Sequence, residues 1–184
     1  DMIGLVDAVS IAVPTKQHYP IARDFLNAGV HVLVEKPITS TLQQAEDLFR
    51  IAKEQGRSLQ IGHVERFNGA VQELHKIVKD PLLIECRRMG PFQSRVQEDG
   101  VVLDLMIHDL DIVLSLVDAP VKTCHAIGTS VHSTMEDIAS VSLTFKNGCV
   151  AHLTASRATQ DKVRTLAVTQ RDTYISLNYA DQDI

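Results

Sequence analysis

The residues with the clearest capacity for chemistry lie in one apolar stretch, Gly100 to Val117, GVVLDLMIHDLDIVLSLV. It carries Asp104, His108, Asp111 and Ser115, which a helix gathers into a stripe about 60° wide. The other positions are almost all apolar, and a helix apolar nearly all round is expected to be buried. A polar stripe on such a helix must be satisfied by a cleft, a ligand or other polar side chains. Histidine is the side chain that titrates near neutrality, so His108 suits proton transfer, with Asp104 one turn earlier to orient it or bind a substrate hydroxyl. Two other readings stay open. One is a structural polar network between two domains. The other is a metal site, since D-x3-H-x2-D has ligand spacing on a helix. Asp111 and Ser115, farther along, are assigned to structure.

A second group surrounds Glu35-Lys36-Pro37. Pro37 holds the preceding pair extended, so Lys36 is either a turn lysine on the surface or a fixed cation able to polarise an oxygen or bind a ribose. Arg66, Arg95 and Arg157 could each fork a phosphate or carboxylate, or serve as structural or solvated arginines. His18 and His63 are weak signals alone. Ser10 and Ser115 lack the G-x-S-x-G setting of a hydrolase nucleophile.

The elements that must position these residues follow from the hydrophobic pattern. Asp7 to Val13 reads as a strand buried on both faces, as in a parallel sheet. A helix follows over Gln17 to Ala28, stopped at Gly29, then a strand over Val30 to Val34. Thr39, Ser40 or Thr41 caps a helix over Leu42 to Gln55, and Ser58 to Gly62 is a third strand. This β-α-β-α-β order implies a parallel sheet. Pro14-Thr15, Glu35-Lys36-Pro37 and His63 to Arg66 then cluster along one sheet edge, where α/β proteins place ligands. After Phe67, Asn68 caps a helix carrying Val71, Leu74, Ile77 and Val78, and Leu82 to Arg88 is a strand. From Val121 onward five alternating strands read as hairpin-connected and antiparallel. Asn147-Gly148 is the sharpest turn signal among them. The fold class is therefore α/β: part of a parallel sheet, then a domain with a mostly antiparallel sheet backed by helices. The domains are residues 1–66 and 67–184, and Lys36 and Thr15 are expected to face Asp104 and His108 across a cleft between them.

Composition narrows the classes. The chain has 184 residues, 45% hydrophobic and 22% charged, with net charge −5, and shows no basic patch for nucleic acid. Apolar runs stop short of the roughly 18 residues of a membrane span, and no basic leader is visible. Three cysteines, Cys86, Cys124 and Cys149, form no C-x-x-C and read as reduced thiols of a cytoplasmic protein. The chain opens without Met, in a strand-like run, and reads as a piece of a longer one.

Four segments together carry a family resemblance: AVPTKQHYPIA (Ala12 to Ala22), VLVEKPITSTLQQAEDL (Val32 to Leu48), GHVERFNGAV (Gly62 to Val71) and DLMIHDLD (Asp104 to Asp111). In this order and spacing they resemble the Gfo/Idh/MocA family of NAD(P)-dependent oxidoreductases. The resemblance implies a Rossmann domain followed by a substrate domain whose open sheet face mediates homo-oligomerisation. It implies hydride transfer between a sugar or polyol carbon and NAD or NADP. Lys36, Asp104 and His108 would be catalytic. Pro14, Thr15, His18, Glu35, Lys36 and Pro37 would bind the cofactor, and Arg66, Arg95 and Arg157 the substrate. GHVERFN with GPF, VVLDLMIHDLD and LTASR is similar to the branch containing UDP-N-acetylglucosamine 3-dehydrogenases, which implies a nucleotide-sugar substrate oxidised at C3. The family's G-x-G-x-x-G turn has no counterpart, since no G-x-G occurs in the sequence. The first strand present would be the family's fourth. The rival of another class is a non-catalytic nucleotide or sugar sensor on the same fold.

Overall fold

A computed structural model describes residues 2–93 and 99–184, and the chain divides into two compact units, residues 1–63 and 64–184. The division falls three residues before the expected one, because the short 3-10 turn Val64–Phe67 packs with the second unit.

In the first unit β1 (Ala8–Ile11), β2 (His31–Val34) and β3 (Leu59–Ile61) form a parallel sheet in that order. Helix α1 (Thr15–Asn27) links β1 to β2, and α2 (Leu42–Glu54) links β2 to β3. Gly29, at φ +77°, ends the first crossover in a conformation that favours glycine. The Thr41 hydroxyl accepts from the Gln44 N–H and fixes the start of α2. Ile11, Val32 and Val34 pack against Ala22 and Leu26 of α1 and Leu48, Ile51 and Ala52 of α2. The sheet is covered on one face, whereas β1 was expected to be buried on both. The two crossovers step across the sheet in one direction, and α1 lies beside α2. Leu33, on the other face, is 41% exposed.

The second unit begins with the Val64–Phe67 turn and α3 (Gly69–Ile77), whose first turn is capped by the Asn68 side chain. Its sheet has the order β5-β6-β7-β4-β8-β9. These strands are β4 (Leu83–Met89), β5 (Val121–Thr129), β6 (Ile138–Phe145), β7 (Val150–Ser156), β8 (Val163–Thr169) and β9 (Tyr174–Asn178). The hairpin at Asn147-Gly148 forms, with Gly148 at φ +92°. Consecutive pairing fails at one place. β4 lies between β7 and β8, parallel to the first and antiparallel to the second, so the last strands are not one continuous meander. Alternation in β4 sends Ile84, Cys86 and Arg88 to the helix-covered face. There Ile84 and Cys86 join Val141, Leu143, Leu153 and Leu166 beneath Val71, Leu74, Met106, Ile112 and Val113. The opposite face is polar, with Glu85, Arg87, Ser140, His152 and Ser176 exposed.

The segment that carries Asp104 and His108 departs from a plain α-helix. Val102–Met106 is π-helical, and α4 (Ile107–Leu116) follows, with the Ile107 N–H donating to the Val102 carbonyl five residues back. π-Turns occur often at functional sites. Nor is the helix buried all round: Leu103, Leu114 and Ser115 are exposed, while Met106, Asp109, Ile112 and Val113 are buried. Among the described residues no helix is long and apolar enough to cross a membrane.

Candidate active site

The sheet of the first unit sets up one edge of chemistry. Its ladder runs past the strand ends, with the Glu35 N–H donating to Ile11 O at 3.0 Å and the Gly62 N–H to Val34 O at 2.8 Å. Pro14 with Thr15, Glu35 with Lys36 and Pro37, and Gly62 with His63 therefore lie at the carboxyl ends of β1, β2 and β3. Lys36 and Glu35 are half-buried, Pro37 is buried, and the Lys36–Pro37 peptide bond is cis. The Glu35 carboxylate accepts from the Lys36 backbone N–H at 3.3 Å. A Cβ on Gly62 would stand 3.1 Å from the atoms of this carboxylate, a tight contact. Glycine at position 62 is thus matched to the acid of Glu35-Lys36-Pro37.

His18 was expected to line a cofactor, and the fold gives it a different task. It is 1% exposed, its Nδ1 lies 2.8 Å from the Pro37 carbonyl oxygen and its Nε2 2.8 Å from that of Val13. Its ring nitrogens are engaged by backbone rather than turned to a ligand. Helix α1 opens directly after β1 with Pro14 at its N-cap and no side-chain cap bond. A helix start at a strand's carboxyl end, beside a lysine, suits the polar and anionic groups of a dinucleotide.

In the second unit Asp104 sits in the π-turn and His108 in the first turn of α4, both half-buried. Beneath them lies a charge cluster. The Arg88 guanidinium forks Asp109, with Nη2 to Oδ1 at 2.8 Å and Nε to Oδ2 at 3.1 Å. Its Nη1 reaches Glu65 at 3.0 Å, and its carbon lies 4.8 Å from the Tyr179 ring centroid. Burial works against the Arg88 charge, but the Asp109 hydrogen bonds and the nearby charges of Asp109 and Glu65 together offset it, so its pKa lies above the ordinary value. The Asp109 carboxyl is pushed up by burial and pulled back by Arg88. Arg66 forks Asp111 at 2.6 and 2.7 Å. Ser115 donates to the Ile112 carbonyl.

Arg157 is corrected. It was expected to meet a substrate anion, yet it is 4% exposed and its Nε donates to Asp137 at 2.6 Å. Its other nitrogens donate to Asp99 O and to Ser133 Oγ. Asp137 also accepts from the Val131, His132 and Ser133 N–H groups, so the pair holds the β5–β6 connection in place. Arg95 lies outside the described residues. Among the described residues no group of three or more His, Cys, Asp or Glu could hold a metal.

The residues missed from sequence are Arg88, Asp109, Glu65 and Asp137. One signal was present: period-two alternation in LIECRRM places Arg88 inward with Ile84 and Cys86, and an inward arginine needs a buried acid.

Residues 1–63 match the oxidoreductase family with an NAD-binding Rossmann fold, and residues 49–174 match the GFO/IDH/MocA C-terminal domain. The chain belongs to the GFO/IDH/MocA family. It is 36% identical over 184 residues to a UDP-N-acetylglucosamine 3-dehydrogenase of Acidithiobacillus ferrooxidans, covering all of this chain and 59% of that protein. A solved structure of that dehydrogenase superposes with a TM-score of 0.93, covering 98% of this chain and 60% of that one. The WlbA dehydrogenase of Bordetella pertussis, solved with NADH and UDP-GlcNAcA, shares the fold at TM-score 0.88 and 19% identity, covering 96% of this chain and 57% of that one. The chain thus spans about three fifths of the length of these relatives.

Proposed function

We propose that the protein carrying this chain is an NAD(P)-dependent oxidoreductase that oxidises C3 of a UDP-N-acetylhexosamine, UDP-N-acetylglucosamine in the first instance. The observation that carries this reading is the 36% identity to a UDP-N-acetylglucosamine 3-dehydrogenase over every residue of the chain. The retained acid, base and cation support catalysis over a sensor, because binding alone needs no proton carrier.

A bound nicotinamide would supply the hydride acceptor. Pro14, Thr15, Glu35, Lys36 and Pro37, all at strand ends in the first unit, are the residues that would hold it. His108 takes the proton of the C3 hydroxyl, and Asp104 orients the substrate hydroxyl. Lys36 supplies an ammonium that stabilises the negative charge developing on the oxidised hydroxyl. The enzyme is a cytoplasmic homo-oligomer that meets its copies through the exposed polar face of the six-stranded sheet. Seryl and threonyl side chains there, such as Ser140, Thr154 and Ser176, allow close approach.

The test is absorbance at the reduced-nicotinamide band with NAD or NADP and a panel of UDP-sugars, together with the mass of the product, which should fall by two hydrogens. His108→Ala should lower kcat by about 100-fold or more while cofactor affinity holds. An unchanged kcat would remove His108 from the reaction. Absence of turnover with every nucleotide sugar, beside measurable binding, would favour the sensor.

A further inference from the structure

We infer that His18 is a positioning residue for Lys36. It ties the turn that carries Lys36 to the turn that opens α1, and its Nδ1 contact is the one that matters to the reaction. The inference rests on the role proposed above for Lys36.

The geometry is direct. His18 lies one turn into α1, and nineteen residues separate it from Pro37, so the Nδ1 contact is tertiary rather than local. Its acceptor is the carbonyl of the residue that follows Lys36. The Nε2 contact runs to Val13, at the end of the strand that precedes α1. A single buried ring thereby joins two loops that the sheet ladder leaves after its last hydrogen bonds. On the far side of Lys36, the Glu35 carboxylate takes the Lys36 backbone N–H and rests against Gly62. The backbone of Lys36 is thus fixed on both flanks. A carbonyl offers only acceptor pairs, so the ring nitrogen that bonds one carries the hydrogen. The side chain of Lys36 is long and has four rotatable bonds, so the placement of its ammonium depends on a fixed backbone root. A displacement near 1 Å at a reacting group costs about 100-fold in rate.

Two substitutions separate the two contacts. An asparagine amide reaches about as far as Nδ1, and a glutamine amide about as far as Nε2. In the intact protein, His18→Asn should keep kcat within a few-fold of the parent. His18→Gln should lose about 10- to 100-fold in kcat, with a smaller change in KM for the nucleotide sugar. Thermal midpoints of the two variants should be similar, since each removes one of two bonds. Equal losses in kcat that track thermal stability would reduce His18 to a structural residue and overturn the inference, as would parental kcat in both variants. A readout free of turnover is the proton–nitrogen correlation spectrum of the His18 ring. A hydrogen on Nδ1 in slow exchange is expected, and a bare Nδ1 would overturn the inference. Lys36→Met is the control. If it keeps full kcat, the role given to Lys36 fails. If it is inactive while His18→Gln matches the parent, the role of Lys36 stands and the inference fails.

Discussion

Arg88 and Asp109 form an ion pair 2.8 Å long in which only 2% of either side chain reaches solvent, and Asp109 immediately follows His108. Arg88 stands on β4 and Asp109 on α4, so the pair fixes the register of the helix bearing His108 against the sheet. Removing one member strands the other charge in a low-dielectric site. Arg88→Met should therefore destabilise the fold by about 3–5 kcal/mol, read from denaturant unfolding. The double variant Arg88→Met, Asp109→Leu should recover much of that loss, because two apolar side chains leave no unpaired charge. A single-variant loss of about 1 kcal/mol or less, the range of an exposed pair, would contradict the role assigned to burial.

Asp137 makes acid sensitivity predictable in sign. Burial alone would raise its pKa, but the N–H groups of Val131, His132 and Ser133, together with Arg157, pull the carboxyl well below its ordinary 3.8. A depressed folded-state pKa gives stability that is complete above the unfolded value and is lost as pH falls from there toward the folded value. Denaturation midpoints should therefore drop as pH falls below about 4. Asp137→Asn should be less stable near neutrality, and its midpoint should fall less steeply in acid. An identical slope in both proteins would assign the acid sensitivity to other carboxylates.

A Cβ on Gly100 would overlap the Glu136 carboxylate, so Glu136 must leave its place to admit one. Glu136 also holds the start of the π-turn, its backbone oxygen accepting from the Val101 N–H at 2.9 Å and its Oε1 from the Val102 N–H at 3.2 Å. Gly100→Ala should cost about 1–3 kcal/mol in thermal or urea unfolding through overpacking. Adding Glu136→Ala should return part of this, even though one hydrogen bond is given up.

Arg66 is engaged by Asp111 yet 54% exposed, so its fork is worth little to the fold. Arg66→Ala should change stability by about 1 kcal/mol or less and leave KM for the nucleotide sugar unchanged. A rise in KM of about tenfold, which corresponds to roughly 1.4 kcal/mol, would return Arg66 to the substrate.

Much of this architecture is readable from residue order. DAVSIAV, VHVLV and the helices between them show a parallel unit because strand and helix periods differ and glycines mark the stops. Asn147-Gly148 announces its hairpin because both residues tolerate the backbone a tight turn requires. Asp104, His108 and Lys36 stand out because their charge or proton chemistry sits inside apolar or proline-bounded stretches. These are local properties, and local sequence determined them.

Three matters were decided only in three dimensions. The insertion of β4 between β7 and β8 pairs residues more than sixty positions apart, which no turn signal encodes. The π-turn at Val102–Met106 shifts the helical phase between Asp104 and His108, and no local run of residue types announces it. Finally, His18 and Arg157 have the same side chains whether they meet a ligand or a backbone carbonyl and a buried acid. The partners that set them apart, Pro37 for one and Asp137 for the other, are supplied by chain crossings rather than by sequence neighbours. The sequence determined which residues could act. Packing decided which of them are already occupied in holding the fold, because a buried polar group must take the partner that the tertiary structure brings within reach.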